Sequence, residues 1–176
     1  MTHTYQAWAQ AKRETRLIRD ELGMKVDKDI FETVSIMRLL GFNTTGSCGG
    51  HIRRMTTGPY VIFQSPEAQH YANKARQLNN KKHPDYRRLR QKADHHRAVD
   101  LDRMLRYLGE FYRNHSVNVE NRLIVQSIPM SLNILRCQGA EMALVLRHEE
   151  KKILVNINRL EIKNFTHYLI EQYLQE

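Results

Sequence analysis

Cysteine is scarce in this chain: only Cys48 and Cys137 occur, far apart in the sequence. That excludes a disulfide framework and makes a reducing compartment, the cytoplasm, the expected location. Long apolar runs are missing too. Nothing approaches the roughly 18 consecutive apolar residues of a spanning helix, so no membrane partner is expected. The amino-terminal stretch has neither the apolar segment nor the small-residue cleavage site of a signal peptide. No internal repeat or low-complexity tract appears. What remains is 176 residues with 41% hydrophobic and 27% charged side chains, ordinary for a globular domain with a real core.

Negative charge is also in short supply, with 19 Asp/Glu against 28 Lys/Arg and a net charge of +9. The imbalance is local. Between His51 and Arg113 there are 14 Lys/Arg and 6 Asp/Glu, and the rest of the chain is nearly neutral. A concentrated basic segment implies an anionic partner.

Periodicity organises the chain as follows. Residues 1–24 read as a peripheral amino-terminal helix, with Trp8, Ala11, Thr15, Ile18 and Leu22 at helical spacing and Gly23 closing it. Residues 25–176 read as a single α+β domain. Asp27 or Asp29 is placed to cap a helix carrying Ile30, Phe31, Val34, Met37 and Leu40, which Gly41 ends. Strands are expected at 42–45 and 60–63, then a helix from Pro66 to Asn80 and a long one from Asp85 to Asn114. The first half of that long helix is too polar to be buried. Strands at 122–128, 132–137 and 142–147 read as an antiparallel meander, its register left open because both faces of 132–137 mix apolar and polar residues. A last helix spans 158–174, with Leu160, Phe165, Leu169 and Tyr173 as its stripe; residues 151–157 suit either helix or strand. The fold class is α+β, an antiparallel sheet covered by helices on one face, with a long basic helix.

Packing alone does not account for Gly41–Arg53, G-F-N-T-T-G-S-C-G-G-H-I-R. Glycines let the backbone approach a ligand, and successive N–H groups in such a turn form an anion-binding concavity. Thr45, Ser47, Gly49, Gly50, His51, Arg53 and Arg54 are therefore candidate contacts for a phosphate or small ligand. Cys48 and His51 are candidate catalytic residues, thiolate and acid/base, although no orienting acid is evident. The same pair suits zinc. Two ligands make no closed site, and the others would have to come from the scattered Cys137, His83, His95, His96, His115 or His148, so no metal site is assigned. The turn can equally be structural.

The stretch G-F-N-T-T-G-S-C-G-G-H, after an amphipathic helix and before P-Y-V-I-F, resembles a family of small uncharacterised bacterial and phage proteins. Their mark is a T-x-x-S-C-x-G-H turn between helix and strand, matched here by Thr44, Ser47, Cys48, Gly50 and His51. The later order of a basic helix ending L-x-x-F-Y, strands and a carboxy-terminal helix is similar. More distantly, the turn is similar to the S-S-C-S-G-R turn of the wybutosine-synthesis tRNA methyltransferase family. Here His51 replaces the arginine, and Gly46 and Gly49 replace serines. That likeness implies RNA and, at most, S-adenosylmethionine; only the inclination toward nucleic acid is carried over, and the cofactor stays unknown.

Lys81–Arg106 holds nine Lys/Arg against four Asp. Lys81, Lys82, Arg87, Arg88, Arg90, Lys92 and Arg97 are the candidate nucleic-acid contacts, with Tyr71 and Tyr86 available for stacking. His95 and His96 point about 100° apart on a helix and do not converge on one ion. The reading is a nucleic-acid-binding protein, RNA in preference, whose turn holds phosphate or a small ligand. Alternatives are a small enzyme using Cys48 and His51, and an interaction module that docks an acidic protein.

Overall fold

The computed structural model describes residues 2–20, 22–52, 58–128 and 132–175. The helices are α1 (Thr2–Leu17), α2 (Phe31–Leu39), α3 (Pro66–Gln77), α4 (Pro84–Asn114) and α5 (His148–Gln175). The strands are β1 (Thr44–Cys48), β2 (Tyr60–Phe63), β3 (Leu123–Ile128) and β4 (Leu132–Cys137), forming one antiparallel sheet in the order β1-β2-β4-β3. None of the described helices is long and apolar enough to cross a membrane.

Alternation on the sheet decides its core face. Val61 and Phe63 of β2 and Asn133, Leu135 and Cys137 of β4 are buried, whereas Ile62, Ile134 and Arg136 are half-exposed. The inward Asn133 is satisfied: its amide donates to the Arg97 carbonyl at 3.2 Å, and its Oδ1 accepts from Ser127 at 2.8 Å. Helices α4 and α5 cover this face, giving the α+β arrangement that the periodicities predict. Phe42 packs edge-on to Phe63 at 5.4 Å, and Phe111 to Phe165 at 5.3 Å. Burying each such ring contributes about 1.5–3 kcal/mol.

Several elements differ from the sequence expectation. Helix α1 stops at Leu17 rather than near residue 24, because the Asp20 carboxylate accepts from the N–H groups of Leu22 and Met24 and folds the chain into a tight turn. Strand β1 starts at Thr44, after Phe42 has plugged into the core, and runs through Gly46 and Ser47 into the glycine turn. Residues 142–147 are not a strand. Both edges of β4 are taken, by β2 and β3, and Gln138–Leu144 coils into a 3-10 helix tied by Arg136 to Glu141 at 2.6 Å. Residues 151–157 are helical, within α5. The stripe of α5 is Leu154, Val155, Ile162, Phe165 and Leu169; Leu160 points outward, 59% exposed.

Candidate functional sites

The basic segment folds as a helical hairpin. Ser65 caps α3, accepting from the Ala68 N–H at 2.9 Å, and Ala68, Ala72 and Ala75 are all buried, as is Ala93 of α4. Small side chains at turn spacing let the two helices approach closely. Pro84 opens α4, which runs 31 residues, about 46 Å at 1.5 Å per residue. Lys81, Lys82, Arg87, Arg88 and Lys92 are exposed, and Arg90 is half-buried.

Charge neutralisation stops partway along α4. Asp94, Asp100 and Asp102 pair with Arg97, Arg103 and Arg106. Across residues 74–92 there are eight Lys/Arg and a single acidic residue, Asp85. Of the predicted contacts, Arg97 is the one with an ion pair among the described residues, held by Asp94 at 3.3 Å. Tyr71 is also engaged internally, stacked on His96 at 5.7 Å with Lys92 over its ring at 5.1 Å, so of the two stacking candidates only Tyr86 has no ring contact among the described residues.

The glycine turn is held by side chains from distant parts of the chain. Asp27 and Asp29 make no side-chain cap on the helix that follows. Instead, Asp27 Oδ2 accepts from the Gly49 N–H at 2.9 Å and lies 3.1 Å from His51 Nε2. Asp29 pairs with Arg159 of α5 at 2.9 Å, and that guanidinium donates to the carbonyls of Gly49 and Gly50, both at 2.9 Å. Gly49 is tightly enclosed: a Cβ there would sit 3.1–3.2 Å from the Cβ atoms of both aspartates, which would have to give by a few tenths of an ångström. Gly50 has φ +84°, where only glycine is unstrained.

This geometry revises the anion cradle. The Gly49 N–H that would face a phosphate is occupied by the protein's own carboxylate. Alternation along β1 separates the remaining candidates. Thr45 and Ser47 line a groove with Arg19, Met24 and Lys25, while Cys48 lies with Asp27 and His51. Arg53 and Arg54 lie outside the described residues. Cys48, Asp27 and His51 each place one donor atom within 4.8 Å of the other two. Cys48 is 2% exposed, whereas the His51 and Asp27 side chains are 43% and 38% exposed. Beside the imidazole lies an open depression of about 350 Å³ lined by Lys152, Asn156 and Arg159.

Asp27 is therefore the acid that Cys48 and His51 lack in the sequence. The signal for it was weak: V-D-K-D-I offers two aspartates where one cap would do, and the surplus hints at another role. Arg159 lies inside α5 with no local signature at all.

The hairpin and the turn do not face each other. Cys48 stands at the end of the sheet with Tyr60 and Cys137, while Asn133, at the other end of β4, contacts Arg97. From Arg97, α4 runs one way to Tyr112, whose hydroxyl accepts from Leu123 N–H opposite Cys137, and the other way to the basic tip. Laid end to end, four strand residues and ten helical residues span on the order of 30 Å along the path from the turn to Arg87. Comparison with family models, with curated proteins and with solved structures returned no match for this chain.

Proposed function

We propose that the chain binds nucleic acid, RNA in preference to DNA, on the α3–α4 hairpin. One observation carries this: eight cations against Asp85 over residues 74–92, with no ion pair to any of them among the described residues. Assembling so many like charges on one narrow element costs self-repulsion, which a polyanion relieves by releasing its own counterions. Tyr86, half-exposed at the start of α4, would offer its ring to an unpaired base. The preference for RNA rests on the resemblance of the turn to a tRNA-modifying family.

Fluorescence anisotropy with labelled RNA and DNA oligonucleotides of matched sequence tests this. Affinity is expected to fall steeply between about 50 and 200 mM salt. RNA should bind more tightly than DNA. Binding that ignores salt, or that survives replacement of Arg87, Arg88 and Lys92 by alanine, overturns the hairpin assignment. Failure to bind any nucleic acid while an acidic protein is retained moves the same surface to the docking alternative.

A further inference from the structure

We propose that Asp27, Cys48 and His51 form a binding site for a zinc-class divalent metal ion, separate from the nucleic-acid surface and independent of it. The argument begins with donor chemistry. Thiolate, imidazole and carboxylate are the three ligand types zinc uses, and a thiolate excludes magnesium and calcium as preferred occupants. Around a tetrahedral zinc, bond lengths of about 2.0–2.3 Å place neighbouring donor atoms about 3.3–3.6 Å apart. Here the carboxylate oxygen and the imidazole nitrogen are 3.1 Å apart, and all three donors lie within 4.8 Å of one another. Small side-chain rotations close that set on an ion.

The surroundings are built to hold those donors in place. The Gly49 N–H holds the Asp27 carboxylate through Oδ2, the oxygen that also lies 3.1 Å from His51 Nε2, and among the described residues leaves Oδ1 free to turn toward an ion. Arg159 clamps the carbonyls of Gly49 and Gly50 between Cys48 and His51, and Asp29 orients Arg159 in turn. Cys48 comes from the end of β1, Asp27 from the segment before α2 and His51 from the turn, so the folded chain brings the ligands together before any ion arrives. Thiolate and carboxylate together balance the charge of a divalent ion. No fourth protein donor joins them among the described residues, which leaves a position for water or an exogenous ligand. The depression lined by Lys152, Asn156 and Arg159 beside His51 gives an anionic ligand access from that side.

The buried thiol favours this role over that of a nucleophile. A cysteine 2% exposed is poorly reached by a substrate, but an ion bridging it to half-exposed His51 and Asp27 needs no such access.

Cobalt(II) titrated into the chelator-treated 176-residue chain tests the site directly. The expected result is one cobalt per chain, with a thiolate-to-cobalt charge-transfer band and the strong visible bands of a tetrahedral ion, both displaced by zinc. Cys48→Ser should abolish the charge-transfer band, and His51→Ala and Asp27→Asn should weaken binding at least tenfold. Cys137→Ser, though it lowers stability by burying a hydroxyl in the core, should leave the cobalt bands unchanged. Because His51 is half-exposed, its alanine variant is expected to keep the fold, checked by circular dichroism. A spectrum without these bands, bands that persist in Cys48→Ser, or bands that depend on Cys137 would overturn the proposal.

Discussion

Arg159 donates to the Gly49 carbonyl at 2.9 Å, across 110 residues of sequence, and so fastens the glycine turn to the middle of the last helix. The same guanidinium reaches Gly50 and Asp29. Arg159→Ala is expected to cost roughly 1.5–3 kcal/mol, the range for hydrogen bonds to a charged group. Arg159→Lys should recover only part of this, since a single ammonium cannot span two carbonyls and a carboxylate in one plane. Urea denaturation midpoints of the three proteins decide it.

Gly50→Ala places a Cβ at φ +84° and should cost about 1–2 kcal/mol from backbone strain alone. Gly49→Ala acts differently. Its methyl group would press on the Cβ atoms of Asp27 and Asp29, which sit too close to their own backbone to swing aside. It should therefore separate Asp27 from His51 as well as destabilise. The two variants should diverge in cobalt affinity, with Gly49→Ala the weaker binder.

On the hairpin, Arg87→Ala combined with Arg88→Ala should leave the thermal midpoint nearly unchanged, within about 0.5 kcal/mol, because both side chains are exposed and unpaired. The slope of log affinity against log salt should fall by about two units, one for each phosphate contact removed. A large loss of stability would show instead that these arginines are structural.

Asp100 supplies a pH test of the α3–α4 seam. Burial raises its pKa above the ordinary 3.8, with Glu67 adding in the same direction and Arg103 and His96 opposing. The folded protein thus holds the proton more tightly than the unfolded chain. The resulting stabilisation is full below the ordinary value and is lost as pH rises through the raised one. Asp100→Asn should melt higher than the parent near neutral pH, and the difference should vanish in acid. Thermal melts across that range would show the opposite trend if Arg103 dominated.

Cys137 should be silent toward an alkylating reagent at mildly alkaline pH, because burial pushes its thiol up to about 12, with the charge of Glu161 adding to the effect. Mass spectrometry of the folded protein should find it unmodified, and denaturation should expose it. Modification in the native state would refute the assignment of Cys137 as core.

Much of the fold was legible because its signals are local. Gly41, Ser65-Pro66 and Pro84 punctuate helices where the structure has them, and the polar first half of α4 does lie outside the core. Failures came where a local signal had two meanings. Met142–Arg147 looks like a strand, but β2 had already filled the edge of β4 it would need. Asp27 looks like a cap because an aspartate before a helix usually is one; its actual partners lie 22 and 24 residues away, beyond any helical period. Arg159 could not be found at all. On a helix surface, an arginine that clamps a remote turn has the same neighbours in sequence as one that meets only water.

The distance between hairpin and turn has a consequence in units of nucleic acid length. At 3.4 Å per step along each strand of duplex DNA, on the order of 30 Å corresponds to about nine base pairs. A duplex shorter than that, seated on the tip of α4, ends before it reaches His51. On the proposed binding mode, a longer one lying along the molecule would arrive there with its backbone already neutralised at one end.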